Sequence, residues 1–414
     1  VRVAEVDASM RAVAADPKAW TMAVRLNQPT PLTTSKKAGG TTMNFEFSEE
    51  QNLLREQAHG FLKANCPPAA VRKILEGKAS YDEKLWHQIA EMGWTATTIP
   101  EQYGGLGLGY LELCVIAEEL GRAVAPVPFS SSVYLATEAL LLAGSQEQKE
   151  LWLPRLAAGE AIGTFALAEG PGRTSPKSLK VALSQGRLRG TKIGVVDGDI
   201  ADFAIVVAKS RAGDKASWYL VDLTQRNVKR SVVSTLDPTR SHASITLRSA
   251  DAQLLGADGE GWALTQKLLD RAAILFAWEQ VGGADAALNM AKEYALGRYA
   301  FGRSIASYQA IKHKLATAYI KNTLARSNCY YGAWALNTNA AELALAAASA
   351  RVAAIQAYYF ASKENIQTHG GMGFTWEFDC QFYYRRAKLL SVNIGSESFW
   401  QDRLITAVEH SNVA

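Results

Sequence analysis

The sequence predicts an α+β multidomain fold: an N-terminal α-helical domain, a middle β domain of barrel or sandwich type, and a C-terminal four-helix bundle. Three observations predict it. Apolar residues recur at helical spacing up to about residue 160, short β-branched runs replace them from 162, and long Ala/Leu-rich helical stretches return after Gly259-Glu260-Gly261. The expected boundaries are 1–43, a leader or linker that reads as non-native or as a docking arm; 44–160, helical; 161–257, β; and 258–414, bundle. The first segment is turn-rich between Gln28 and Thr42 and lacks any helical or strand period.

Ser48-Glu49-Glu50-Gln51 is a capping box, in which the hydroxyl accepts from the fourth residue's N–H and the amide reaches back. Leu53, Leu54, Ala58, Phe61 and Leu62 follow at helical spacing, and further helical periods cover 82–92, 110–122, 131–143 and 146–158. The glycines of Pro100-Glu101-Gln102-Tyr103-Gly104-Gly105-Leu106-Gly107 interrupt them. Strands are expected at 162–168, 187–192, 203–208, 218–221, 232–234 and 244–247, bounded by Gly, Asp, Ser and Pro. Four long helices are expected at 262–295, 306–335, 339–368 and 383–410.

Composition narrows the function. Hydrophobic residues make up 48% and charged residues 20%, the balance of a globular chain. The net charge of +4 is spread along the sequence, which argues against a nucleic-acid binder that works by phosphate neutralisation. Cys66, Cys114, Cys329 and Cys380 lie far apart with no CxxC spacing, so neither a metal site nor a disulfide framework is expected, and a reducing cytoplasm fits. No run of about 18 apolar residues suggests a membrane span, and Val1 to Met10 lacks the apolar run of a signal peptide.

Four stretches carry a resemblance. They are Ile99-Pro100-Glu101-Gln102-Tyr103-Gly104-Gly105-Leu106-Gly107; Gly144 to Lys149 with Leu153-Pro154 and Ala158-Gly159-Glu160; Tyr294-Ala295-Leu296-Gly297-Arg298-Tyr299-Ala300-Phe301-Gly302 followed by Gln309; and Gln367-Thr368-His369-Gly370-Gly371-Met372-Gly373-Phe374. In this order and at these distances the chain resembles the acyl-CoA dehydrogenase family over about residues 44–410. The resemblance implies FAD, an acyl-CoA thioester substrate, electron-transfer flavoprotein as acceptor, and flavins that each lie across two subunits. It assigns Arg298, Phe301, Gln309, Gln367, Gly370 and Gly371 to the cofactor.

These residues suit a dinucleotide on chemical grounds as well. Arg298 and Gln309 are eleven apart and share a face if the segment between them is helical, with Phe301 one turn from Arg298. A cation suits pyrophosphate, an amide polar edges, and an aromatic a flat ring. Gly370-Gly371 lets backbone N–H groups approach a ligand without a Cβ in the way. His369 reads as a turn residue rather than an acid or base.

The departures from the family pattern carry as much weight. The family usually supplies a Glu to take the α-proton of the thioester, a step that needs a carboxylate in contact with a weakly acidic C–H. At the position one branch uses, this chain has Ile394, and at the other branch's position it has Ala272-Ala273. Asp270 lies two residues before Ala272, about 200° round a helix; Glu279 is one heptad later, about 10 Å further along; Glu397 follows Ile394 by three residues. Each is a weak substitute base. In the β domain the flavin-contacting loop reads Ala168-Glu169-Gly170-Pro171-Gly172-Arg173-Thr174-Ser175, and the adjacent strand reads Lys192-Ile193-Gly194-Val195-Val196-Asp197-Gly198, both eroded against the family pattern.

By the resemblance, the groups that reach a neighbour's flavin are kept, while those for the chain's own ring and substrate are degraded. The sequence therefore reads as the smaller, base-lacking subunit of an α2β2 acyl-CoA dehydrogenase, similar to those acting on steroid side-chain or pimeloyl-like thioesters. The alternatives are a self-sufficient homotetramer with a relocated base and a flavin-free scaffold on the same fold.

Overall fold

The computed structural model describes residues 47–210, 213 and 215–413, so the leader expected at 1–43 lies outside the described residues. Helix α1 (Glu49–Asn65) starts at the expected capping box: the Ser48 hydroxyl accepts from Gln51 N, and the Gln51 side chain accepts from Ser48 N at 2.9 Å. Helix α2 (Pro68–Leu75), unforeseen, begins with Pro in its first turn, where the missing N–H costs nothing. Helices α3 (Glu83–Glu91) and α4 (Tyr110–Arg122) follow. The expected helix at 131–143 is a π-helical stretch, Ser130–Thr137, that runs into α5 (Glu138–Ala143), and α6 is Gln146–Ala157.

The middle region is one mainly antiparallel sheet. Its strands are β1 (Gly163–Ala166), β2 (Ala182–Ser184), β3 (Arg187–Val196), β4 (Phe203–Lys209), β5 (Ala216–Asp222), β6 (Val228–Val232), β7 (His242–Asp251) and β8 (Gln253–Leu255). The order is β6-β7-β3-β2-β4-β5-β8, with β1 parallel to β4. Strand β4 is buried along nearly its whole length, as a continuous apolar run predicts. The strand expected at 232–234 is displaced: the paired segment ends at Val232, where Val228–Val232 runs beside β7.

The bundle contains α7 (Gly261–Gly297), α8 (Gln309–Asn337) and α9 (Leu343–His369). The expected fourth helix is broken into α10 (Cys380–Leu390) and α11 (Glu397–Val413). Gly395, at φ +121°, turns the chain between them where an L side chain rarely fits, and Ile394 packs in the core beside it. Helix α9 has the length and hydropathy of a membrane-crossing helix, but half of that window is buried inside the fold. Helix α4 crosses α7 backbone to backbone: a Cβ on Gly282 would lie 1.9 Å from the Glu118 carbonyl oxygen, and one on Gly121 1.9 Å from that of Glu279. This contact seats the N-terminal helices on the bundle.

Candidate cofactor and substrate site

Helix α7 ends at Gly297, so the helical segment that would put Arg298, Phe301 and Gln309 on one face is absent. A two-residue hairpin replaces it. Strand β9 (Tyr299–Ala300) pairs with β10 (Arg303–Ser304) around Phe301 and Gly302, both at positive φ. That is the mirror-image turn whose twist matches a hairpin. The Ser304 hydroxyl donates to the Ala295 carbonyl at 2.7 Å and so satisfies an orphan acceptor at the helix end. Gln309 opens α8. A reversal of the chain, which returns Ile305 N to the Arg298 carbonyl at 2.8 Å, therefore stands between Arg298 and Gln309 in place of helical periodicity.

All six residues assigned to the cofactor are exposed. Phe301 is 97% exposed at the hairpin tip. Among the described residues Arg298 has no ion-pair partner, and the Gln309 and Gln367 side chains have no hydrogen bond. Gly370 ends α9 at φ +59°, and nothing lies within 4 Å of where a Cβ on Gly370 or Gly371 would stand. A free guanidinium, two free amides, an open aromatic and an unshielded Gly-Gly backbone form a donor set that fits a phosphate-bearing aromatic cofactor such as FAD.

Aromatic stacking joins the two halves of this set. Tyr294 of α7 stacks on His369 at 4.1 Å between centroids, and Phe378 meets both edge-on. His369 is the buried last residue of α9, and its Nδ1–H donates to the Asn365 carbonyl at 2.8 Å.

The candidate bases all have other commitments. Asp270 is mostly buried and pairs with Arg403; burial pushes its carboxyl above the ordinary value despite that partner. Glu279 is fully buried and accepts from Arg240 Nη2 at 2.8 Å and Arg386 Nη1 at 3.3 Å. Glu397 opens α11 and accepts from Gln356 at 2.8 Å and Gln401 at 3.0 Å. Ile394 is 8% exposed and Ala272 fully buried.

The eroded β-domain loop is folded onto its own chain. Lys192 Nζ, fully buried, pairs with Glu169 at 2.7 Å and donates to the Leu167 carbonyl at 2.9 Å. Burial pulls its amine down to about 8, against the pull of Glu169. Glu169 also accepts from the Val181 N–H at 3.2 Å. Arg173 pairs with Asp402 of α11. The loop lines a cleft of about 250 Å³, smaller than an ordinary ligand pocket.

Sequence reasoning missed Arg240 and Arg386. Lys192, Tyr294 and His369 stood inside quoted motifs, yet the Lys192–Glu169 pairing and the Tyr294–His369 stacking have no signature along the chain.

The three-part architecture of helical domain, sheet and helix bundle is that of an acyl-CoA dehydrogenase fold. The family model of the acyl-CoA dehydrogenase N-terminal domain matches residues 48–160 and that of the C-terminal domain residues 259–407, and the chain belongs to this family. It is 35% identical over 340 residues to the acyl-CoA dehydrogenase IpdE2 of Mycobacterium tuberculosis, covering 82% of this chain and 91% of that one. A solved structure of the ChsE4-ChsE5 complex from Mycobacterium tuberculosis superposes with a TM-score of 0.81 at 26% identity, covering 89% of this chain and 99% of that one. A variant of the Tcur3481-Tcur3483 steroid ACAD gives 0.80 at 28% identity, covering 88% and 99%.

Proposed function

We propose that this chain is the base-lacking subunit of a heteromeric FAD-dependent acyl-CoA dehydrogenase. The observation that carries the reading is Phe301. The turn needs a positive φ that glycine would adopt more easily, and the 97% exposed aromatic gains almost no burial there, so a Phe at this tip suits contact with a ligand or partner. In this reading the exposed Arg298, Gln309 and Gln367 supply charge and hydrogen bonds to the same cofactor. Exposure in the single chain suits a clasp completed by a second subunit.

When bound, FAD takes up the hydride equivalent in α,β-dehydrogenation of the acyl thioester. In this reading Arg298 holds a phosphate, Gly370-Gly371 offers backbone N–H groups, Gln309 and Gln367 orient polar edges, and Phe301 covers an apolar ring and excludes water. Ile394 presents no proton acceptor, so the carboxylate that removes the α-proton belongs to a homologous partner in an α2β2 assembly. The Tcur3481-Tcur3483 steroid ACAD supports a steroid-type thioester, and the ChsE4-ChsE5 complex supports pairing with a second, unlike chain. Electron-transfer flavoprotein is the acceptor the family implies, and the four buried free thiols agree with a cytoplasmic location.

The test is reconstitution. Combined with a base-bearing paralogue, the chain should form a stable complex whose dehydrogenase activity neither chain has alone. Full activity of this chain by itself would reject the reading.

A further inference from the structure

We infer that Arg72, on the N-terminal helix α2, is a positioning residue for the Gly370-Gly371 turn; this rests on the reading above that the turn faces a dinucleotide. The Arg72 guanidinium reaches across some three hundred positions of sequence to the segment that leaves the turn. It donates to the Trp376 carbonyl, to the Glu377 carbonyl at 3.3 Å and to the Asp379 carboxylate, and it lies 5.1 Å from the Phe382 ring centroid. A planar fork with several fixed donors can hold two carbonyls and a carboxylate at once, which an ammonium group does poorly.

What Arg72 holds is continuous with the clasp. Residues 376–379 follow the short 3-10 segment Gly370–Phe374, and Phe378, within the held stretch, packs edge-on against Tyr294 and His369. His369 immediately precedes Gly370, and Tyr294 stands four residues before Arg298. Arg72 thus fixes the far side of a stack whose near side carries both the glycine turn and the guanidinium. Helix α2 is itself anchored through the buried Val71, Ile74 and Leu75, so the clamp is tied to a packed element. The glycine pair itself has little local support, since Cβ positions on Gly370 and Gly371 meet nothing within 4 Å, whereas the end of the turn is held by Thr375, whose hydroxyl donates to the Met372 carbonyl at 2.9 Å, and then by the Arg72 contacts.

The experiment measures FAD dissociation from the reconstituted complex by flavin fluorescence, with thermal unfolding of each variant recorded beside it. Arg72→Met is expected to weaken FAD about tenfold, the scale of a lost charge-assisted contact. Asp379→Asn should weaken it in the same direction, and the double variant should be no worse than Arg72→Met, because the two groups act through one contact. Arg55→Met removes a different N-terminal ion pair, to Glu118, and should lower stability while leaving FAD affinity unchanged. If Arg298→Ala weakens FAD but neither Arg72→Met nor Asp379→Asn does so beyond Arg55→Met, the positioning role is overturned and the cofactor reading stands. If Arg298→Ala itself leaves FAD affinity unchanged, the cofactor reading falls, and the role of Arg72 falls with it. Should Arg72→Met not fold, Asp379→Asn alone decides the matter by the same comparison.

Discussion

Arg240 Nη2 lies 2.8 Å from Glu279 Oε1, with both side chains out of solvent. Arg386 adds a second guanidinium at 3.3 Å and is itself paired with Asp237 at 2.7 Å. The loop between β6 and β7, the first bundle helix and α10 therefore meet at one carboxylate. Turning Glu279 toward a substrate would take from the buried Arg240 its carboxylate partner and leave Arg386 with Asp237 alone, so Glu279 acts as a tie between these elements. Glu279→Gln should cost about 3–5 kcal/mol, the scale of breaking a buried pair. Denaturant unfolding reads this. Native stability combined with lost turnover in the reconstituted complex would instead mark Glu279 as the base.

The hairpin tip gives a prediction of opposite sign. Phe301→Gly removes a side chain from a positive-φ position, where glycine is at ease, and loses almost no burial. Stability should stay level or rise by up to about 1 kcal/mol, while FAD affinity of the complex falls. Unchanged affinity would leave the exposed aromatic without its proposed role.

Acid should loosen the contact between the N-terminal helices and the bundle. Burial pushes the Glu118 carboxyl up, but Arg326 at 2.7 Å, with Arg55 and Arg122, outweighs it and holds the group below its ordinary 4.5. The unfolded chain then binds this proton more readily than the folded one. The stabilisation is complete above 4.5 and drains away as pH falls through the lower folded value. Urea unfolding of the parent chain and Glu118→Gln across pH 3–6 checks this, since the substitution should remove part of the pH dependence on the acid side.

All four cysteines are buried and free. Burial pushes the Cys66 thiol up to about 12 and the Cys380 thiol to about 11, and raises Cys114 and Cys329 as well. Since only the thiolate reacts, the native protein at pH 8 should resist thiol labelling, and all four should react together on unfolding. Rapid labelling of one site in the folded chain would contradict the packing around it.

The sequence made some elements legible and hid others for physical reasons. Periodicity located α4 at its true ends, Tyr110–Arg122, because Gly109 precedes a run of good helix formers that closes with an Arg in the last turn. Strands β2 and β8, three residues each, are too short for an alternation to register. The break at 391–396 was hidden because Leu390 and Phe399 continue an apolar pattern across a turn that Gly395 alone marks. At the site, Arg298, Gln309 and the glycine pair could be named from motifs, but the hairpin between Arg298 and Gln309 could not be drawn from spacing. Arg72 could not be found at all, because a contact spanning the whole fold leaves no local pattern.

The most direct measurement is the flavin content of the chain purified alone and of its complex with a carboxylate-bearing homologue. One FAD per pair of unlike chains, with turnover only in the mixture, is the predicted result. A homo-oligomer that holds one FAD in every copy and oxidises an acyl thioester unaided would contradict the division of labour set out above.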